Sequence, residues 1–211
     1  MSTAIGEGIE LRTFVVGFLS TDCYLVYRPE GGRAFLVDPG RGFQRIKSFA
    51  DEQHLRIEAV LLTHGHCDHI LEAKRWQDEG AKVYVHRLDA PKLEGKGHLG
   101  DMIGLNVPPL SADIVLEDGD CIDPAGVPMT VLHTPGHSTG SCCYVGEGFM
   151  FSGDTLFCGD IGRSDFPDSD PRALQQSLEK IKAIRKDLQV FPGHGEATTL
   201  ERERRNNPYL R

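Results

Sequence analysis

No stretch of this chain approaches the roughly 20 consecutive apolar residues that a membrane-spanning helix needs. The opening MSTAIGEGIELRTFVVGFLS has neither the basic flank nor the long apolar core of a secretory signal. Positive charge is in short supply too: 23 Lys and Arg stand against 31 Asp and Glu, a formal charge of −8. Nucleic acid and anionic membrane surfaces, both gripped by basic patches, are therefore not expected partners. The six cysteines (Cys23, Cys67, Cys121, Cys142, Cys143, Cys158) form no CxxC and keep no regular spacing, the usage expected of a cytoplasmic chain with reduced thiols. A Pro/Ser/Gly linker and an internal repeat are also missing, so residues 1–211 are read as one domain.

What is present is a mixed α/β pattern. Short β-branched and aromatic runs at 11–17, 23–27 and 34–37 read as strands between Gly, Asp and Pro turn signals. Residues 42–54 read as an amphipathic helix and 57–64 as a buried strand. A helix follows Asp68, with Ile70, Leu71 and Trp76 at helical spacing, and stops at Gly80. Another strand covers 81–86, and the Gly- and Pro-rich stretch 87–112 reads as an irregular loop over a surface. Strand-like runs resume at 113–116, 129–133, 141–146 and 148–153. Asp170 and Pro171 then open a helix expected to run to about Leu188. A short strand and loop at 189–195 and a surface helix in the tail complete the pattern. Two strand-rich stretches, each followed by helix, predict two sheets packed together with helices outside.

The chemistry concentrates in THGHCDH, residues 63–69. Side chains at i and i+2 of an extended segment point the same way, so His64 and His66 converge on one ion. A helix starting near Asp68 turns that carboxylate and His69 elsewhere, toward a second ion. Three later candidates stand at strand-to-loop junctions: His137 in TPGH, Asp154 in SGDTLF and His194 in FPGHG. Zinc takes about four ligands, and a catalytic zinc keeps one position for water. His64, His66 and His137 supply one ion, while Asp68, His69 and His194 supply the other. The two oxygens of Asp154 are left to bridge, and a shared water completes both shells of a two-metal site.

These four motifs, in this order, resemble the metallo-β-lactamase fold superfamily, and the resemblance covers nearly the whole chain. It implies an αββα sandwich with two divalent ions at one edge, zinc first, with iron or manganese as the alternatives. GDTLFCGDIGRSDFPDSDP and the ending GHGEATTLERERRNNPYL resemble the single-domain glyoxalase II-like (hydroxyacylglutathione hydrolase-like) hydrolases. Those relatives split glutathione thioesters such as S-lactoylglutathione, which makes a small-molecule thioester the expected partner. Longer glyoxalase II enzymes carry an additional C-terminal helical domain that contributes to glutathione binding, and the sequence through Arg211 is expected to lack a counterpart.

The implied reaction is hydrolysis by a metal-bridging hydroxide, since bound water ionises near pH 7 against 15.7 in bulk. Asp68, the expected catalytic carboxylate, orients that hydroxide while binding its ion. The main alternative is a mononuclear Fe(II) glutathione-persulfide dioxygenase on the same fold, held by His64, His137 and Asp154 as a facial triad. IGRSDF resembles that group as well. Lactonases are a minor alternative. β-Lactamase activity is not expected, because the main zinc β-lactamases resembled here place a cysteine at the second metal where this chain has Asp154.

Around the site, Asp38 after AFLV either accepts a hydrogen bond from a ligand imidazole or simply forms the turn. Arg163 either holds a substrate carboxylate or pairs with Asp160 or Asp165. Met102 or Leu105, from the irregular loop, could supply an apolar wall. Cys67 reads as filler beside the site, and His54, His86, His98 and His133 are left without a metal.

Overall fold

The computed structural model describes residues 2–211. β1 (Thr3–Gly6), β2 (Ile9–Val16), β3 (Thr21–Arg28) and β4 (Arg33–Val37) form an antiparallel meander. The crossover helix α1 (Phe43–Glu52) then sets β5 (Arg56–Leu61) parallel to β4. Two short helices, α2 (Cys67–Ile70) and α3 (Ala73–Asp78), lead to β6 (Lys82–His86). α4 (Ala90–Leu93) lies in the long connection to β7 (Ile114–Leu116), and both strands add in parallel to give a sheet in the order β1 to β7. The second sheet draws on β8 (Cys121–Ile122), β9 (Met129–His133), β10 (Cys142–Val145) and β11 (Phe149–Gly153). The ribbon β12 (Leu156–Phe157) and β13 (Asp160–Ile161), the helix α5 (Pro171–Lys182), β14 (Gln189–Pro192), β15 (Thr198–Thr199) and α6 (Leu200–Asn206) complete the chain. The order in this sheet is β15-β14-β11-β10-β9-β8.

Strand periodicity explains the layering. In β4, Ala34 and Leu36 face α1 and α3, while Phe35 and Val37 face the other sheet. In β11, Phe149 and Phe151 point into that same central core, and Met150 points to α5. Strands buried on both faces read as continuous apolar runs rather than alternating ones. Three cores therefore separate four layers, the αββα sandwich expected from the sequence. Each fully buried side chain such as Phe35 or Leu36 contributes on the order of 1.5–3 kcal/mol.

The sheets meet at one edge, and backbone and phenolic hydrogen bonds tie them there. Cys142 N donates to Thr63 O at 2.9 Å and Asp22 N to Gly193 O at 2.7 Å. The hydroxyls of Tyr144 and Tyr24 donate to Leu62 O (2.8 Å) and Pro192 O (2.6 Å). β4 and β5 run parallel, as do β11 and β14, so their carboxyl ends all open on this edge. Open α/β sheets place functional groups at that position.

Several boundaries differ from the sequence expectation, each for a tertiary reason. The helix after Asp68 breaks at Leu71 and Glu72: Glu72 N donates to Pro39 O (3.1 Å), and its carboxylate accepts from Phe43 N (2.7 Å). α5 stops at Lys182, short of Leu188, because Leu188 must enter the third core while its carbonyl accepts from Leu200 N. The stretch 87–112 is largely irregular as expected, but it contains α4 and a 3-10 turn at Gly100–Ile103.

Candidate metal centre

The chain leaves β5 through Thr63, His64, Gly65 and His66 and enters α2, whose first turn carries Asp68 and His69. His137 lies in the turn between β9 and β10, Asp154 follows β11 and His194 follows β14. All seven predicted donors thus arrive at one edge. His64, His66 and His137 form one group with donor atoms within 4.8 Å of one another, and Asp68, His69 and His194 form a second. Asp154 reaches both: its Oδ2 lies 3.4 Å from His137 Nε2 and 3.5 Å from His194 Nε2, its Oδ1 3.5 Å from His69 Nε2.

The hydrogen bonds assign the imidazole faces. His137 Nδ1 donates to Arg163 O at 2.8 Å, which leaves Nε2 as a lone pair. That lone pair lies 2.9 Å from His66 Nδ1, whose ring turns its other nitrogen toward Asp168 Oδ1 at 3.6 Å. At that distance either His66 Nδ1–H donates to His137 Nε2 or a cation takes both lone pairs. His69 repeats the arrangement: Nδ1 donates to Asp38 Oδ2 at 2.9 Å, and Nε2 faces His194 Nε2 (3.3 Å) and Asp68 Oδ2 (3.4 Å). His64 Nε2 and Asp154 Oδ1 are buried with no hydrogen-bond partner among the described residues. Buried polar groups are nearly always satisfied, so this donor set fits a pair of divalent cations.

Proton affinities divide along the same line. Burial pushes His64 well below the usual imidazole range, with His69, His66 and His137 adding to it, and burial likewise lowers His137. Burial would also lower His69, but Asp68, Asp154 and Asp38 reverse it and hold the ring well above 6.5. His194 is raised against burial by Asp68 and Asp154. Asp68 itself would rise on burial, yet His69 together with hydrogen bonds from His194, His69 and Thr21 keeps it far below the carboxylate range.

Asp38, His64 and His69 make a third close group, but its atoms are committed. Asp38 accepts from Thr63 N (2.8 Å) and Thr63 Oγ1 (2.6 Å) besides His69, and Thr63 Oγ1 also meets His64 Nδ1 at 3.1 Å. Of the two roles left open for Asp38, the contact with His69 Nδ1 is the imidazole-orienting one. Of the two readings left open for Arg163, the structure shows the local pair with Asp165. It lines the cleft, and Asp165 takes its Nε and Nη2, both at 2.8 Å. What it gives the site is its carbonyl. Cys67 is buried in the first core, and burial pushes its thiol up to about 11. His86 and His133 stack on each other at 4.0 Å, and His98 Nδ1 accepts from Gly100 N at 3.0 Å. Among the described residues, the close donor groups include none of these histidines, nor His54.

The sequence reading missed the supports behind the ligands. Asp89, fully buried, accepts from Gly65 N (2.7 Å), Ser138 Oγ (2.7 Å) and Gly140 N (2.8 Å), and so joins the His64–His66 loop to the His137 turn. The buried Lys92 donates to Asp89 at 2.7 Å and pairs with Asp168, the carboxylate facing His66. A Cβ on Gly65 would meet Lys92 Cβ and Cδ at 2.8 Å, so glycine between the two histidines is what lets this lysine pass. A Cβ on Gly193 would fall 2.1 Å from Asp154 Oδ1. Thr21 Oγ1 donates to Asp68 Oδ2 at 2.8 Å, and burial raises its neighbour Asp22 to about 6. Asp89 falls in the stretch read as an irregular loop, where no local signal marks an aspartate as a hub.

Residues 16–194 match the metallo-β-lactamase superfamily, and the chain belongs to that superfamily of metal-dependent hydrolases. It is similar to hydroxyacylglutathione hydrolase GloC of Haemophilus influenzae, 31% identical over 196 residues that cover 90% of this chain and 92% of the relative. Among solved structures it is similar to BLEG-1 B3 metallo-β-lactamase, with a TM-score of 0.89, 31% identity and coverage of 95% and 99% of the two chains. TTHA1623 in a di-iron-bound form gives 0.84, 36% identity and coverage of 94% and 100%. ETHE1 from Myxococcus xanthus gives 0.79, 26% identity and coverage of 94% and 83%.

Proposed function

We propose that the chain is a binuclear metallohydrolase of thioesters, with glutathione thioesters such as S-lactoylglutathione as the first class to assay. The observation that carries this reading is the convergence of buried lone pairs in two groups that share Asp154. The similarity to a hydroxyacylglutathione hydrolase supports the substrate class. His64, His66 and His137 would hold one ion, Asp68, His69 and His194 the other, and Asp154 both. Bound there, divalent ions supply a water that ionises near neutral pH and positive charge for a carbonyl oxygen.

The chain's own residues do the positioning. Asp68 stays ionised at neutral pH and is tied by Oδ2 to Thr21, so it acts as an acceptor that orients the attacking water. Asp38 fixes the tautomer of His69, and the carbonyl of Arg163 fixes that of His137. Asp168, anchored by Lys92, faces the outer nitrogen of His66. The departing group is a thiolate, whose acid has a pKa near 8.5, so no residue has to donate a proton to it.

A mononuclear iron dioxygenase of glutathione persulfide is the second reading, and the likeness to ETHE1 favours keeping it in the test. Metal content of the protein as isolated, then hydrolysis and oxygen uptake on the same sample, separates the two. The hydrolase reading expects two ions per chain and thioester hydrolysis that chelation abolishes and metal restores. One iron per chain with persulfide-dependent oxygen uptake overturns it. A β-lactam belongs in the same assay because of the BLEG-1 likeness, and slower turnover than the thioester is expected.

A further inference from the structure

The two halves of a thioester ask for different walls, and the cleft over the metal centre offers mostly one kind. Its volume is about 520 Å³, and Leu19, Leu99, Met102, Ile103, Phe157 and Phe166 stand around the donors. Leu19, Met102 and Ile103 are 44%, 68% and 46% exposed, among the few large apolar side chains that the fold leaves in water. Phe18, beside Leu19, is more than half exposed as well. Apolar side chains gathered at a cleft mouth mark a binding surface rather than ordinary surface scatter.

The turn that carries Met102 and Ile103 is held in shape. Leu99 takes φ 64, a left-handed angle that is rare for a bulky residue. Gly100 N donates to His98 Nδ1 at 3.0 Å, and Leu105 N closes the turn on Gly100 O at 2.9 Å. Backbone strain kept by such bonds is a feature of functional loops. Its outcome here is two apolar side chains presented to solvent beside the donors.

The charge of the lining points the same way. Arg163 is the one Lys or Arg lining this cleft among the described residues. Asp165 takes two of its donors, and its guanidinium lies 4.6 Å from the Phe166 ring centre, so it extends the apolar wall with its flat face. Thiol carriers such as glutathione bear carboxylates at neutral pH, and this lining has no unpaired cation to answer them. A small hydroxylated acyl group such as lactoyl would leave the apolar wall uncovered.

We infer that the preferred substrate carries an apolar acyl chain of several carbons, seated against Leu19, Met102, Ile103 and Phe166, with the charged thiol carrier left in solvent. The inference rests on the hydrolase reading. The test is kcat/KM of the zinc-loaded protein on lactoyl, acetyl, butanoyl, hexanoyl and octanoyl thioesters of glutathione. Each methylene buried should raise it about fourfold, until the chain outgrows the cleft, and hexanoyl should exceed lactoyl by at least about tenfold. The double variant Met102→Ser, Ile103→Ser should flatten the series with its metal content unchanged. A flat series in the unsubstituted protein, or preference for lactoyl, overturns the inference and leaves the hydrolase reading standing. Calorimetric binding of octanoate and acetate to the zinc-loaded protein gives an arm independent of turnover. If no thioester is hydrolysed, the hydrolase reading falls; octanoate binding at least about tenfold tighter than acetate still supports the apolar seat, and equal binding overturns it.

Discussion

Asp38 sits at φ 51, an angle that aspartate and asparagine accept more readily than most residues, and both of its oxygens are used. Asp38→Asn should therefore keep the backbone but lose the anionic acceptor for His69 Nδ1–H. We expect metal affinity to fall about 10–100-fold, read by competition with a chromophoric chelator, while Asp38→Ala should also lower stability. Proton linkage makes a second prediction at this scale. In the metal-free protein His69 is held well above 6.5 by Asp68, Asp154 and Asp38, so at pH 7 it carries a proton that an incoming cation must displace, and His194 is raised in the same direction. His64 and His137 are held below 6.5 and carry none. Uptake at the Asp68–His69–His194 group should therefore release the His69 proton and weaken as pH falls. Calorimetric titration at pH 7 in two buffers of different ionisation enthalpy should report proton release on metal uptake, and Asp38→Asn, which removes one of the carboxylates that raise His69, should reduce it. For stability of the metal-free fold these raised groups have the opposite sense. Their contribution is complete below the unfolded value near 6.5 and is lost as pH rises through their higher folded values.

At the scale of elements, the turn bearing His137 is braced by α5. Asp170 N donates to Gly136 O at 2.8 Å, and the Asp170 side chain caps the helix through Arg172 N and Ala173 N. Asp170→Ala should cost about 1 kcal/mol, measured by urea denaturation, without changing how many ions the protein binds. This cap was legible in the sequence because Asp-Pro before an amphipathic run is a local signal. The places of three candidate donors were legible for a related reason: His137, Asp154 and His194 each follow an apolar run and a Gly or Pro turn, so strand ends could be read from pattern. The break between α2 and α3 was not legible, since it depends on Glu72 reaching Phe43 across the fold. The hub formed by Asp89, Lys92 and Asp168 was hidden likewise: a buried charge is recognisable only once partners from other loops surround it. β1 and β8 are short edge strands whose pairing, rather than any periodicity of their own, makes them strands.

For the whole molecule, the origin of the seven donors matters more than their number. His64, His66, Asp68 and His69 belong to the loop and helix that leave the first sheet, whereas His137, Asp154 and His194 belong to the second. Each proposed ion would therefore take ligands from both sheets and act as a staple across the edge where the sandwich opens. An ion that binds only the folded state stabilises it by about 4 kcal/mol when free metal is about 1,000 times its dissociation constant. In a chain of this size each kcal/mol moves the melting temperature by about 2–4 °C, so chelation should lower Tm by on the order of 10 °C. Without the ions, His64 Nε2 and Asp154 Oδ1 stay buried and unsatisfied on the two sides of the gap between the sheets. Loosening should accordingly appear first at this edge, as faster amide exchange in residues 63–69 and 134–141, and not at the β1–β2 end. Differential scanning fluorimetry with and without chelator tests the first part, and hydrogen exchange on the same samples tests the second. An unchanged Tm after complete metal removal, or loosening spread evenly over both sheets, would show that the centre does not staple them.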